Sequence, residues 1–173
     1  MVLTIRLGMR EGMVRDISIS PANDAADLVA VAGLFRDYAA SLDIDLAYQD
    51  FAGELRGLPG NYAPPHGMLL LARRAVGEPI GCVALRPMAM SGQCEMKRLY
   101  VAPAGRGTGL GRALMEALIV EARRIGYAEM WLDTLPTMVA AQGLYRAAGF
   151  ELVEPYYDTP VAGTVFMRLA LGV

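Results

Sequence analysis

The stretch from Gly105 to Leu114, GRGTGLGRAL, constrains this chain more than any other. Glycines at 105, 107, 109 and 111 and arginines at 106 and 112 stand directly before an apolar series: Leu110, Leu114, Ala117, Leu118, Ala122 and Ile125. That series recurs at helical spacing and stops at Gly126. A helix start ordinarily carries Ser, Asp or Glu, yet the first acidic residue of this one is Glu116, a full turn in. The first N–H groups of a helix have no intrahelical partner, and the dipole there favours negative charge. A bound anion would satisfy both, and glycines would let it approach the backbone. The other reading is a glycine-rich turn ahead of an exposed helix start. Two nucleotide fingerprints fail. Arg112 stands where G-x-G-x-x-G needs its third glycine, and no Lys with a following hydroxyl is spaced as a P-loop requires.

Around this helix the pattern is that of an α/β chain. Val14 to Ser20 alternates as a strand, and Pro21 to Asp24 supplies turn and cap chemistry for a helix running toward Leu42. A second, short helix fits Tyr48 to Gly57, and the Pro- and Gly-rich segment from Leu58 to Gly67 is a loop. Met68–Arg74, Pro79–Arg86 and Gln93–Val101 read as three strands with short connections, hence an antiparallel meander. After the glycine-rich helix come a strand over Ala128–Asp133, a helix over Thr137–Ala148 stopped by Gly149, and closing strands over Phe150–Val153 and Thr164–Leu169. The strand–helix–strand crossover implies one parallel pair, so the sheet is mixed but mostly antiparallel.

Composition narrows the function. The 173 residues suit a single domain, with 54% hydrophobic and 20% charged residues, and a net charge of −2 offers no footprint for a nucleic-acid backbone. Apolar runs such as Met68–Ala72 stop at Arg73, far short of a membrane span. Arg6, Arg10 and Glu11 interrupt the first residues as no secretory signal would, so the expected location is cytoplasmic. Residues 1–12 read as a poorly ordered tail, or as a leader before a start at Met13. Cys82 and Cys94 lie in strand-like runs as reduced, buried thiols, and with the single histidine they form no metal cluster.

The run Arg106-Gly107-Thr108-Gly109-Leu110-Gly111 resembles the Arg/Gln-x-x-Gly-x-Gly/Ala signature of the GNAT family of N-acetyltransferases. MKRLYVAP, from Met96 to Pro103, looks like that family's fourth strand, and GLYRAAGF, from Gly143 to Phe150, like its Tyr-x-x-x-Gly-Phe segment. The resemblance implies a GNAT-like fold with a central mixed sheet, flanked by helices, whose fourth and fifth strands splay apart. It implies acetyl-CoA as co-substrate and no metal. The pyrophosphate would lie on Arg106, Gly107, Thr108, Gly109, Leu110, Gly111 and Arg112, and the pantetheine arm along Leu99, Tyr100 and Val101. The expected activity is transfer of an acetyl group to a primary amine of a small molecule, amino acid or peptide by direct attack. A coenzyme-binding sensor without transfer chemistry is the alternative. Dimers are frequent among such proteins, which leaves a homodimer open.

Within that resemblance Tyr145 occupies the position of a phenol that protonates or hydrogen-bonds the departing sulfur, a core aromatic on a helix being the competing reading. Glu95 is the expected base; simple alternation puts it on the face of Lys97, Leu99 and Val101, where a surface pair with Lys97 is the competing reading. Asp133 is a weaker base candidate, or simply the start of a turn. Met138 stands where the family often has an Asn that binds the coenzyme. On the acceptor side Tyr62, His66, Tyr156, Tyr157 and Asp158 are candidates to line a polar-aromatic pocket, or else turn residues.

Overall fold

The computed structural model of the chain describes residues 3–8 and 14–172. Strands β1 (Leu3–Gly8), β2 (Val14–Pro21), β3 (Met68–Arg74), β4 (Pro79–Pro87), β5 (Gln93–Val101), β6 (Glu129–Thr134), β7 (Glu151–Val153) and β8 (Val165–Ala170) form one sheet. Its order is β1-β2-β3-β4-β5-β6-β8-β7. The expected three-strand meander is present as β3 to β5, β2 adds to it antiparallel beside β3, and among the described residues the only parallel contact is β5 with β6. The tail expected over residues 1–12 is replaced at Leu3–Gly8 by β1, which pairs antiparallel along the outer edge of β2 and so covers polar groups that edge would expose. The rest of that stretch, with the start considered at Met13, lies outside the described residues. Because β1 adds a strand in front, the strands expected as fourth and fifth are β5 and β6.

Helices cover both faces. On one, α1 (Ala25–Ala40) begins at Asp24, whose side chain accepts from the Asp27 amide at 2.8 Å. Its Val31, Leu34 and Phe35 pack on Leu69, Leu71, Cys82 and Ala84. The expected second helix is divided: a 3₁₀ turn, Leu46–Gln49, gives way to α2 (Phe51–Arg56) at Asp50, whose φ of 53° breaks the helical path while its carboxylate caps the new one. On the opposite face α3 (Leu110–Ile125) buries Leu110, Leu114, Leu118 and Ala122 against Leu70, Val83, Leu85 and Met130. Gly126, at φ 103°, ends that helix. The short α4 (Val139–Ala147) follows β6. Covering both faces explains why β3 reads as an unbroken apolar run: Met68, Leu70 and Ala72 belong to one core, Leu69 and Leu71 to the other. Close packing of α3 requires small residues beneath it. A Cβ added at Gly81 would lie 3.0 Å from a Leu114 methyl carbon.

Two departures from regular pairing shape the middle of the sheet. Pairing of β5 with β6 runs only from Gln93↔Glu129 to Glu95↔Trp131, although β5 continues to Val101 and β6 to Thr134 along β8. The two strands therefore diverge beyond Glu95. In addition, the β4–β5 register shifts between Cys82 and Ala84, where Arg98 takes a φ of 57°. That is a β-bulge: β5 carries one residue more than β4 across this point.

Candidate active site

The bulge redistributes the side chains of β5. Simple alternation places Glu95, Lys97, Leu99 and Val101 on one face, but the extra residue reverses the pattern beyond Arg98. Cys94 and Met96 share the α3 core with Leu99 and Val101, whereas Tyr100 packs into the α1 core, its ring 6.1 Å from that of Tyr38. Glu95 and Lys97 consequently face away from Leu99 and Val101, which corrects the expected arrangement.

Around Glu95 and Lys97 stands a set of paired charges. Arg86 donates to Glu95 Oε2 through Nε at 2.7 Å and through a terminal nitrogen at 2.6 Å, while the Tyr156 hydroxyl donates to Oε1 at 2.8 Å. Lys97 Nζ lies 2.9 Å from Asp133 Oδ1 and 3.8 Å from Glu95 Oε1. Arg98 grips Glu54 on α2 with two bonds, 3.0 and 2.6 Å, and Tyr62 donates to the same carboxylate at 2.8 Å. Burial pushes the Glu54 carboxyl up, but the bonds and charge of Arg98 outweigh it and the net shift is downward. Asp133 behaves alike: burial opposes its charge, and Lys97 holds it below its ordinary value. Both oxygens of Glu95 are committed and its side chain is 3% exposed, an arrangement that weighs against the base role expected of it.

The divergence of β5 and β6 opens a narrow cleft. It passes through the sheet. Leu99, Thr134, Met138 and Tyr145 line it from the α3–α4 side, and Tyr38, Lys97 and Asp133 from the α1 side. Tyr145, on α4, is 6% exposed with its ring 5.7 Å from that of Phe150. Burial, then the nearby Tyr38 and Asp133, hold its phenol above the ordinary tyrosine range, so it keeps its proton. The Thr134 hydroxyl is buried without a hydrogen-bond partner in the same wall, a donor free for a ligand where Met138 has none to offer. On the α1 side a further hollow of about 190 Å³ is lined by Tyr48, Arg86, Lys97, Tyr157 and Asp158.

Beside the cleft lies the start of α3. Gly109 caps it at φ 84° with no side-chain hydrogen bond and no acidic residue in the first turn. The first helical bond runs from the Ala113 amide to the Gly109 carbonyl at 3.1 Å, leaving the amides of Leu110, Gly111 and Arg112 ahead of the ladder. Thr108 closes the preceding turn by donating to the Gly105 carbonyl at 2.7 Å, and Gly107, at φ 73°, is exposed with open space where a side chain would be. Arg106 folds back to donate to the Val101 carbonyl at 3.2 Å, tying this turn to the end of β5. The Leu110 side chain is in the core, so only its backbone faces outward.

Of the residues expected from the sequence, Tyr145 and Leu99 line the cleft, whereas Glu54, Arg98 and Tyr38, which sequence reasoning did not single out, border it or the adjoining hollow. The signal for Arg98 was a cation inside an apolar strand run; nothing local linked it to Glu54, 44 residues away. Of the proposed acceptor residues, Tyr62, Tyr156, Tyr157 and Asp158 do converge near this site. His66 does not: it borders a separate hollow with Met88, Gly92 and Tyr127. Among the described residues no group of three or more His, Cys, Asp or Glu could hold a metal, and no helix is long and apolar enough to cross a membrane.

Comparison with known proteins bears on the fold and the family. The model of the acetyltransferase (GNAT) family matches residues 28–150, well over half of the chain. An uncharacterized N-acetyltransferase of Schizosaccharomyces pombe is 42% identical over 157 residues, covering 91% of this chain and 96% of its own length. A GNAT acetyltransferase from Staphylococcus aureus shares the fold with a TM-score of 0.76 at 18% identity, covering 90% of this chain and 99% of that one. An acetyltransferase from Salmonella typhimurium, solved with its cofactor acetyl-CoA, aligns with a TM-score of 0.65 at 24% identity, over 90% of this chain and 94% of its own. The chain belongs to the GNAT acetyltransferase family and is, by that kinship, an N-acetyltransferase enzyme.

Proposed function

We propose that the chain transfers an acetyl group from acetyl-CoA to the primary amine of a small molecule, amino acid or peptide by direct attack. The observation that carries this reading is the cleft through the sheet, with the α3 amides and Tyr145 reached from one face and a polar hollow from the other. The co-substrate supplies the activated acetyl group; the chain supplies alignment and proton handling. The amides of Leu110, Gly111 and Arg112, with the backbone of Gly107, Thr108 and Gly109 and the Arg106 and Arg112 cations, suit a pyrophosphate. The backbone edge of Leu99, Tyr100 and Val101 suits the amides of the pantetheine arm, and a donor there would stabilise charge developing on the thioester oxygen. The Tyr145 phenol donates its proton to the departing sulfur.

Direct attack also accords with the cysteines. Burial pushes the Cys82 thiol up and Cys94 up to about 12, and neither borders the cleft, so neither suits a covalent acyl carrier. Glu95, engaged by Arg86 and Tyr156, is assigned to holding the acceptor wall in place, and the amine's proton leaves to water. The coenzyme-binding sensor remains the second reading, favoured by one observation: Glu54, Glu95 and Asp133 are each tied to a cation. A cytoplasmic location suits two free thiols.

Calorimetric titration with acetyl-CoA, followed by an acceptor screen that detects released thiol, tests the proposal. Saturable binding and thiol release with at least one amine are expected. Absence of binding overturns it, and binding without release on any amine class transfers the assignment to the sensor.

A further inference from the structure

Arg98 is held in a backbone conformation that a residue bearing a Cβ resists. Its φ of 57° lies in the left-handed region, where glycine is at ease and other L-residues are disfavoured. Yet the whole β5 edge depends on it: the bulge at this residue sends Leu99 and Val101 to the α3 face and Tyr100 to the α1 face. Something must compensate for that preference. The Arg98 side chain meets α2, where Glu54 receives Nε and a terminal nitrogen at 3.0 and 2.6 Å, the Phe51 ring lies 5.2 Å from the guanidinium carbon, and the Tyr62 hydroxyl donates at 2.8 Å to Oε1, the oxygen that also accepts from Arg98 Nε. The Arg98 side chain is 3% exposed and that of Glu54 15%, so this pair is far from the flexible surface pairs that contribute little. The Cys82 thiol donates to the Arg98 carbonyl at 3.6 Å, a weak further anchor on the same bulge.

We infer that Glu54 is a positioning residue for acetyl transfer: by gripping the Arg98 guanidinium from α2, it holds the β5 bulge and thereby aims the Leu99–Val101 edge into the cleft. Glu54 lies on the acceptor side and acts through Arg98. The helix beside the acceptor hollow therefore sets the geometry of the strand beside the thioester. This rests on the acetyl-CoA reading above, and the experiment separates the two.

Two double variants remove the ion pair identically and differ only in backbone preference: Glu54→Gln with Arg98→Ala, and Glu54→Gln with Arg98→Gly. Each is checked for folding by circular dichroism and then compared for acetyl-CoA affinity, kcat, and amide hydrogen exchange over residues 97–101. Alanine resists the left-handed region and glycine does not, so the alanine variant is expected to exchange roughly tenfold faster across the bulge. It is expected to bind the coenzyme or turn over roughly tenfold less well than the glycine variant. Equal behaviour of the two variants in exchange and in binding overturns the inference, because a merely structural or electrostatic ion pair is lost equally in both. A difference in exchange with no acetyl-CoA binding even in the unaltered chain upholds the latch and sinks the acetyl-CoA reading instead.

Discussion

Tyr145 is the single side chain on which the proposed chemistry most depends. Its burial keeps the phenol protonated: desolvation disfavours phenolate, and the neighbouring Tyr38 and Asp133 add to the effect. The same shift makes it a weaker acid, so transfer of its proton depends on the negative charge that develops on the departing sulfur beside it. Tyr145→Phe keeps the ring packed on Phe150 while removing the proton. The expected outcome is a fall in kcat of roughly 10²-fold or more, the range of general-acid assistance, with acetyl-CoA affinity changed little. Steady-state thiol release together with calorimetry checks this, and unaltered turnover would remove Tyr145 from the mechanism. Tyr145 was legible because it sits in a local pattern four residues before Gly149-Phe150. Glu95 was legible as a residue but not in its surroundings, since Arg86 and Tyr156 reach it from β4 and from the segment before β8.

Among the elements, α3 shows how two nearby glycines can have different reasons to be there. Gly109 adopts φ 84°, so any side chain there strains the backbone and crowds the amides beyond it. Gly109→Val should weaken acetyl-CoA binding at least tenfold by calorimetry; equal affinity would refute the proposed contact. Gly111 lies within the helix, where an added Cβ would be 3.8 Å from a Val101 methyl carbon and 3.9 Å from one of Leu144, both ordinary contacts. Gly111→Ala should raise stability by up to about 1 kcal/mol through helix propensity, measured by denaturant unfolding. A loss of stability would mean the site is tighter than these contacts imply. The divided second helix is a different lesson at this scale: Tyr48 to Gly57 has helical composition throughout, but Asp50 turns left-handed and re-caps the chain.

Across the whole molecule, the sheet separates two apolar cores, and each charged group of β5 meets a partner from elsewhere in the fold, Arg86, Asp133 or Glu54. Glu54 and Asp133 carry carboxyls held below their ordinary values of 4.5 and 3.8. The unfolded chain therefore takes up protons at a higher pH than the folded one. The stabilisation from these pairs is complete above about pH 5 and is lost as pH falls from the ordinary values through the depressed ones. Urea unfolding at a series of pH values should show stability flat from pH 7 to 5 and declining below. Glu54→Gln, less stable at neutral pH, should show a shallower acid decline, whereas an unchanged slope would contradict the assignment of that carboxyl.

What the sequence by itself determined was everything carried by short range: the periodicity of α3, the glycines at its start, the meander of β3 to β5 and the segment around Tyr145. Each depends on neighbours within a turn or a hairpin, so composition and spacing suffice. The tertiary structure alone decided the bulge at Arg98 and the pairing of Glu54, Glu95 and Asp133 with their cations, while the divergence of β5 from β6 was an expectation of the family resemblance and of no local pattern. A one-residue bulge leaves no mark in the alternation of a strand that is buried on both faces. Ion pairs between groups 36 and 44 residues apart exist only once the sheet and α2 have brought them together.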